Sequence, residues 1–278
     1  MQVANTVKDI NNWVRHTKES GRSIGLVPTM GFLHEGHLSL VEAAKAENDL
    51  VVMSIFVNPA QFGPNEDFER YPRDFERDSQ LAEKAGVDMI FAPSAEEMYP
   101  RESPITMGAG TLADVLCGKS RPGHFDGVLK VVTKLFHLVQ PDSAYFGQKD
   151  AQQLAIVESL VQDFNFPLRI CRVDTVREQD GLAKSSRNVY LSETERAEAP
   201  KLYQALQQGA AAAREGKDPI PEMARLIQSE TCGTIDYIEL LSYPGLNEAP
   251  DGQAILALAV QFQKARLIDN IIFTLKEN

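Results

Sequence analysis

Val27-Pro28-Thr29-Met30-Gly31-Phe32-Leu33-His34-Glu35-Gly36-His37-Leu38 stands between an apolar run, Ile24 to Val27, and a segment with helical character, Leu38 to Ala46. It therefore reads as a strand-to-helix turn that carries two histidines and two glycines. At a helix start the first backbone N–H groups have no intrahelical partner and the macrodipole is positive, so such a turn suits an anion. Gly31 and Gly36 allow a tight turn and a close approach to the backbone. His34 and His37, three positions apart, fall where their rings can face a phosphate held there. The pattern is short, and three readings of the pair stay open: a phosphate site, a metal site, or a plain helix cap.

Working outward, the flanking segments supply a repeating pattern. Val7, Ile10, Trp13 and Val14 recur at helical spacing, which predicts an amphipathic helix over Thr6 to Glu19 with Trp13 in the core. Leu50 to Val57 is a continuous apolar run rich in β-branched residues, as expected of a buried parallel strand. Ala60 to Arg73 reads as a long functional loop, followed by a helix from Asp74 to Ala85 ending at Gly86 and a strand at Val87 to Phe91. Ser94 to Gly127 is irregular. A helix is expected over Val128 to Val139, a strand at Ser143 to Phe146, a helix from Ala151 to Asp163 and a strand at Leu168 to Val173. Alternation of this kind implies an α/β, Rossmann-like, doubly wound parallel sheet whose ligands bind at the C-terminal strand ends.

Past Tyr190 the character changes. Ser192 and Glu195 have capping-box spacing ahead of one long Ala-rich helix expected to reach Arg214. Another helix is expected from Pro219 to Thr231, then strands at Ile235 to Leu241, Ala254 to Gln261 and Arg266 to Leu275. This predicts a smaller C-terminal α+β domain. The expected division is 1–188, the doubly wound domain, and 189–278, the smaller domain.

Composition excludes some classes. The 278 residues suffice for a substantial core. Twenty-eight Lys and Arg against 39 Asp and Glu give a net charge of −11, which disfavours a nucleic-acid surface. Cys117, Cys171 and Cys232 are widely spaced and form no C-x-x-C pair, as in a reduced compartment. The N-terminus lacks the features of a signal peptide and no apolar run is long enough to span a bilayer, so a cytoplasmic protein without membrane partners is expected.

Three further groups bear on chemistry. Lys184-Ser185-Ser186-Arg187-Asn188 sets two hydroxyls between cations, suited to phosphate oxygens or simply to an exposed linker. Lys149 lies in Phe146-Gly147-Gln148-Lys149-Asp150, a second strand-to-helix turn on the same sheet edge as His34 and His37. Asn58, Gln61 and Gln153 offer neutral groups for a small polar substrate, or loop caps.

Together these segments resemble the pantothenate synthetase (pantoate–β-alanine ligase) family. The matching motifs are Pro28-Thr29-Met30-Gly31 with His34-Glu35-Gly36-His37, Phe56-Val57-Asn58-Pro59-Ala60-Gln61-Phe62, Arg70-Tyr71-Pro72-Arg73, Arg121-Pro122-Gly123-His124-Phe125, Phe146-Gly147-Gln148-Lys149-Asp150-Ala151-Gln152-Gln153 and Arg177 to Asn188. They span most of the first domain in the family's order. The second domain resembles the family only in length and layout.

The resemblance implies ATP-dependent condensation of pantoate with β-alanine through a pantoyl-adenylate, in a homodimer using Mg²⁺. It implies nucleotide contacts from Met30, Gly31, His34, Gly36 and His37, from Gly147, Gln148, Lys149 and Asp150, and from Val176, Lys184, Ser185, Ser186 and Arg187. Of these, His34, His37, Lys149, Ser185 and Arg187 are the expected catalytic groups. Gln61, Gln153, Asn58, Pro28, Thr29 and Met30 are the expected substrate contacts, and Asp78 the expected metal-side residue. Lys184 departs from the family, where an apolar residue is common, and is expected to add a contact to nucleotide phosphate.

Overall fold

The computed structural model describes residues 1–64, 66–248 and 252–275. Position 65, inside the expected functional loop, and positions 249–251 and 276–278, inside the expected C-terminal domain, lie outside the described residues. The chain divides into two compact units. The first comprises Met1–Ala109, Arg121–Gln148 and Ile156–Asp174; the second comprises Gly110–Ser120, Lys149–Ala155 and Thr175–Asn278.

The first unit is built on six parallel strands, β1 (Gln2–Ala4), β2 (Ile24–Thr29), β3 (Leu50–Ile55), β4 (Met89–Phe91), β5 (Ser143–Gly147) and β6 (Arg169–Val173), in the order β1-β4-β3-β2-β5-β6. Helices α1 (Val7–Glu19), α2 (Glu35–Glu47), α3 (Phe75–Ala85), α4 (Ala95–Met98), α5 (Leu116–Ser120) and α6 (His124–Val139) follow in chain order, α5 belonging to the second unit. Helix α7 spans Ala151–Asp163. The Rossmann-like doubly wound sheet expected from the alternation is the one observed. Its core packs Val27, Leu33, Val41, Ala44, Val51, Met53, Ile90 and Tyr145 together, so β2, β3 and α2 share one apolar layer.

From β2 the chain winds outward to β3 and β4, then returns to place β5 on the other side of β2. That reversal is the switch point, where an open α/β sheet offers a crevice at its C-terminal edge. Here Pro28 widens it. Asp142 donates its N–H to the Ile24 carbonyl on the β5 side, and Phe56 donates to the Thr29 carbonyl on the β3 side. Alternation therefore turns Pro28 toward β5, where it has no N–H to give. The β2–β5 ladder stops at Leu26 opposite Ala144, while β2 and β3 stay paired to Thr29 opposite Ile55.

The second unit carries an antiparallel sheet, β7 (Thr234–Ser242), β8 (Gln253–Gln261) and β9 (Arg266–Thr274), with α8 (Glu193–Glu198), α9 (Lys201–Arg214) and α10 (Ile220–Glu230). Central strand β8 is buried on both faces. Ala254, Leu256, Leu258 and Val260 pack with Leu202, Leu206, Met223 and Ile227, whereas Ile255 and Ala257 pack with Leu116, Ala151, Ala155 and Tyr243.

Several expectations are corrected. The single long helix to Arg214 is two helices, α8 and α9, because Pro200 cannot donate an amide and its ring crowds the preceding turn. Trp13 is half-buried rather than in the core. Strand β1 has no counterpart among the expected elements, because three residues show no period. The spatial division also differs from a boundary after Asn188: Leu182 packs in the second unit's core, and Arg177 pairs with Asp269 of β9. Among the described residues no helix is long and apolar enough to cross a membrane.

Candidate active site

The turn after β2 is held by a dense set of hydrogen bonds. His34 is the N-cap of α2, and its Nδ1 accepts the Gly36 N–H at 3.2 Å. The His34 N–H donates in return to His37 Nδ1 at 3.3 Å, which closes a reciprocal capping box made of two imidazoles. Their ring centroids lie 4.0 Å apart. A backbone N–H only donates, so both Nδ1 atoms are unprotonated and each ring carries its proton on Nε2. Both rings thus turn Nδ1 to the backbone at the positive end of a helix. The cap uses Nδ1 of each ring, whereas the phosphate reading concerns the other nitrogen.

The rest of the turn is scaffold. Thr29, expected to touch substrate, is buried; its hydroxyl donates to the Ser54 carbonyl at 2.7 Å and accepts the Gly31 N–H at 3.2 Å. Gly31 takes φ +86°, and a Cβ there would lie 2.9 Å from Asp78 Oδ2 and 3.0 Å from Ile55 Cγ2, so glycine is required. Asp78, expected at a metal, is 1% exposed, and its oxygens accept the Phe32 N–H at 2.6 Å and the Leu33 N–H at 2.7 Å. Its carboxylate anchors the turn. Among the described residues no three His, Cys, Asp or Glu side chains gather as a metal cage.

Beyond β3, Asn58 is 1% exposed and saturated. Its Nδ2 donates to Gln61 Oε1 at 3.1 Å and to the Gly127 carbonyl at 3.0 Å, while Oδ1 accepts from the Ala60 N–H at 3.2 Å and the Tyr99 hydroxyl at 2.7 Å. Asn58 therefore orients Gln61. Gln61 Nε2 meets Met30 Sδ at 3.3 Å, which joins the two expected substrate positions. A Cβ on Gly127 would fall 2.1 Å from the Ala60 carbonyl oxygen, so α6 approaches this loop as closely as backbone permits.

Residues without an assigned role complete this side. Arg121 donates to His124 Nε2 at 3.0 Å, and His124 Nδ1–H donates to the Gln61 carbonyl at 2.7 Å. Arg121 also holds Glu66, whose carboxyl sits below its usual range because these bonds outweigh the opposing effect of burial. Burial pushes the Tyr99 phenol up to about 12, so it remains a donor to Asn58 at any working pH. The motif Arg121 to Phe125 signals Arg121 and His124; nothing local signals Tyr99.

The second unit holds Lys149, Asp150, Gln153 and the expected residues from Val176 to Arg187. Lys149 lies 3.9 Å from Asp150, and its carbonyl accepts Asn270 Nδ2 at 2.9 Å. Lys149, Ser185, Asn188 and Asp269 line one cavity with Leu182, Ala183, Leu202, Leu267 and Ile268. Ser185 caps the 3₁₀ turn Ser186–Tyr190 by accepting the Arg187 N–H at 3.2 Å, and Asn188 Nδ2 donates to the Ala183 carbonyl at 3.1 Å. The Lys184 N–H donates to the Val176 carbonyl at 2.9 Å, tying together two of the expected nucleotide contacts. The Lys184 ammonium lies 2.8 Å from Glu178 Oε2. Arg177 makes two bonds to Asp269, at 2.6 and 2.9 Å, with its guanidinium 3.6 Å from the Tyr203 ring centroid. Asp269 carries no sequence signal. Gly36, Gly147, Gln148 and Gln153 sit in or beside the turns where they were expected.

A family model for pantoate-β-alanine ligase matches residues 2–272. Pantothenate synthetase of Bacillus pumilus (strain SAFR-032) is 56% identical, over 100% of this chain and 98% of the relative. That of Lysinibacillus sphaericus (strain C3-41) is 58% identical, over 100% and 99%. Among solved structures, pantothenate synthetase from Thermus thermophilus superposes with TM-score 0.90 at 45% identity, covering 98% of this chain and 99% of that one. Pantoate-beta-alanine ligase from Francisella tularensis, complexed with beta-gamma ATP and beta-alanine, gives TM-score 0.85 at 37% identity, covering 98% and 97%.

Proposed function

The chain belongs to the pantoate-β-alanine ligase family, and from that premise we propose how its residues carry the reaction. It condenses pantoate with β-alanine at the expense of ATP, giving pantothenate, AMP and pyrophosphate. The observation that carries the activity is the match along the whole chain.

In the proposed first step a pantoate carboxylate oxygen attacks the α-phosphorus of ATP, a P–O bond forms, and the bond to the β-phosphate breaks to release pyrophosphate. Negative charge builds on the non-bridging oxygens and on the leaving group, and positioned donors and cations lower that barrier. His34 and His37 supply Nε2–H donors whose second nitrogens are already committed to the backbone. Lys149 and Arg187 supply charge, and Ser185 and Ser186 supply hydroxyls. In the second step the β-alanine amine attacks the acyl carbonyl, AMP departs with the bonding pair, and the ammonium proton is lost to solvent. Gln61 and Gln153 hold the pantoyl group. Water must be excluded meanwhile, because the mixed anhydride hydrolyses readily.

Since the Asp78 carboxylate is engaged by the turn, Mg²⁺ is proposed to arrive on the ATP phosphates, where its charge would screen the triphosphate. Nucleotide and pantoate binding by residues 1–188, a covering role for 189–278, assembly as a homodimer and a cytoplasmic location belong to the same proposal. The test is isotope exchange of pyrophosphate into ATP with pantoate present and β-alanine absent. Exchange that requires pantoate is expected. Exchange that proceeds equally without pantoate overturns the pantoyl-adenylate step.

A further inference from the structure

Two adjacent residues in the first turn of α3 grip the peptide units that lead into His34. Asp78 accepts the N–H groups of both Phe32 and Leu33, one on each oxygen. Arg77 donates from Nη2 to the Leu33 carbonyl at 3.0 Å, and its guanidinium lies 5.2 Å from the Phe32 ring centroid and 3.5 Å from Asp78 Oδ1. Both backbone groups of Leu33 are therefore held by this one dipeptide. Phe32 needs such a hold, because at φ +50° it occupies left-handed space that a side-chain-bearing residue rarely adopts. Bare Gly31 lets the carboxylate approach closely enough to provide it.

We propose that Arg77 and Asp78 are positioning residues for His34 and His37: by fixing the Phe32-Leu33 peptides they set the angle at which the chain enters α2 and hence where the two Nε2–H groups point. The inference rests on the reading of those histidines as donors to the reacting phosphate. It differs from plain structural support in what it predicts. Misaiming a donor affects the transition state more than the bound ground state, so kcat should fall while KM holds. A merely stabilising pair would lower the folded fraction and leave kcat per folded molecule unchanged.

Asp78→Asn keeps the size of the side chain but puts an amide donor against one of the two N–H groups. Pantoate-dependent exchange kinetics, melting temperature and hydrogen exchange of the Phe32 and Leu33 amides are measured on the full chain, with His37→Ala as the control. The expected result for Asp78→Asn is a kcat loss on the order of a hundredfold with ATP KM unchanged and faster exchange at the two amides. A folded Asp78→Asn with wild-type kcat beside an impaired His37→Ala overturns the positioning role and leaves the histidine reading standing. Wild-type kcat in both variants overturns both. Should Asp78→Asn fail to fold, Arg77→Met decides on the same readouts: a lowered kcat at unchanged KM supports the role, and an unchanged kcat overturns it.

Discussion

The two segments assigned to the nucleotide are held by different means. The turn from Gly31 to His37 is fixed by backbone N–H groups delivered to buried or half-buried acceptors: two imidazole nitrogens, the Thr29 hydroxyl and both oxygens of Asp78. The segment from Arg177 to Arg187 adds side-chain ion pairs, Arg177 with Asp269 and Lys184 with Glu178, to its backbone hydrogen bonds and a short capped turn. Neutral donors act only over hydrogen-bond distances and must be aimed, whereas a cation acts over a longer range and tolerates a looser mount. The backbone-held segment should therefore be where small displacements affect chemistry. The ion-paired segment should respond through folding and binding.

The largest expected effect falls on the first segment. His37→Ala removes one proposed phosphate donor and one half of the reciprocal cap. By analogy with loss of a preorganised donor, kcat should drop about 10²–10³-fold, while loss of the cap costs only ~1 kcal/mol of stability. Exchange kinetics beside a denaturant melt check both numbers. A loss of similar size in stability with kcat intact would reverse the contrast between the two segments.

In the second segment the order should be the other way round. Asp269 is 5% exposed, and Asp269→Asn leaves the Arg177 guanidinium stacked on Tyr203 without its carboxylate. Breaking a buried pair from one side costs ~3–5 kcal/mol, so the melt should move far more than kcat measured on the folded fraction. A stability change within error would mean that the pair is solvated and that the mount rests on the Ser185 cap.

A smaller effect comes from pH. Burial lifts the Asp78 carboxyl above its ordinary 3.8, against the downward pull of the Leu33 and Phe32 amides and Arg77, with Asp74 adding to the rise. A carboxyl raised on folding favours the folded state below its unfolded value, and that contribution is lost as pH climbs through the folded value. Wild type should therefore lose stability relative to Asp78→Asn as pH rises from below 3.8 through the raised value, with a flat difference at neutral pH. Urea melts at stepped pH check the sign, and an advantage of wild type that grows with pH breaks it.

What can be read from sequence follows the same division between local and distant causes. The bounds of α7, Ala151–Asp163, the start of α3 near Asp74 and its end at Gly86, and the Ser192–Glu195 capping box are written within a few residues of where they act, and all are legible. His34 and His37 are legible as a pair because one helical turn brings them together. Asp78 stands out in the sequence only as a candidate for a metal, since its partners lie 45 and 46 residues away and no periodicity connects them. Asp269 is 92 residues from Arg177 and is invisible for the same reason. Asn58 and Thr29 show the limit from the other side. Their residue types suit a substrate, and only burial shows that their polar groups are already used.

The smallest predicted effect concerns Lys184, where the chain departs from the apolar residue common in its family. A contact to nucleotide phosphate is expected there from sequence, and the ammonium instead lies 2.8 Å from Glu178 Oε2. Glu178 and Lys184 flank a tight excursion closed by the Arg177–Ala183 bridge and by the Glu178 N–H donating to the Leu182 carbonyl, so the backbone already joins the strands that the ion pair spans. A pair of this kind adds only ~0–1 kcal/mol. Lys184→Met should therefore shift stability by less than that and leave ATP KM unchanged, because the backbone N–H that reaches Val176 does not depend on the side chain. A several-fold rise in ATP KM would mean that the ammonium leaves Glu178 for the phosphates when nucleotide binds. The ion-paired segment would then be an adjustable mount in the literal sense, with Lys184 moving between two anionic partners while His34 and His37 stay fixed.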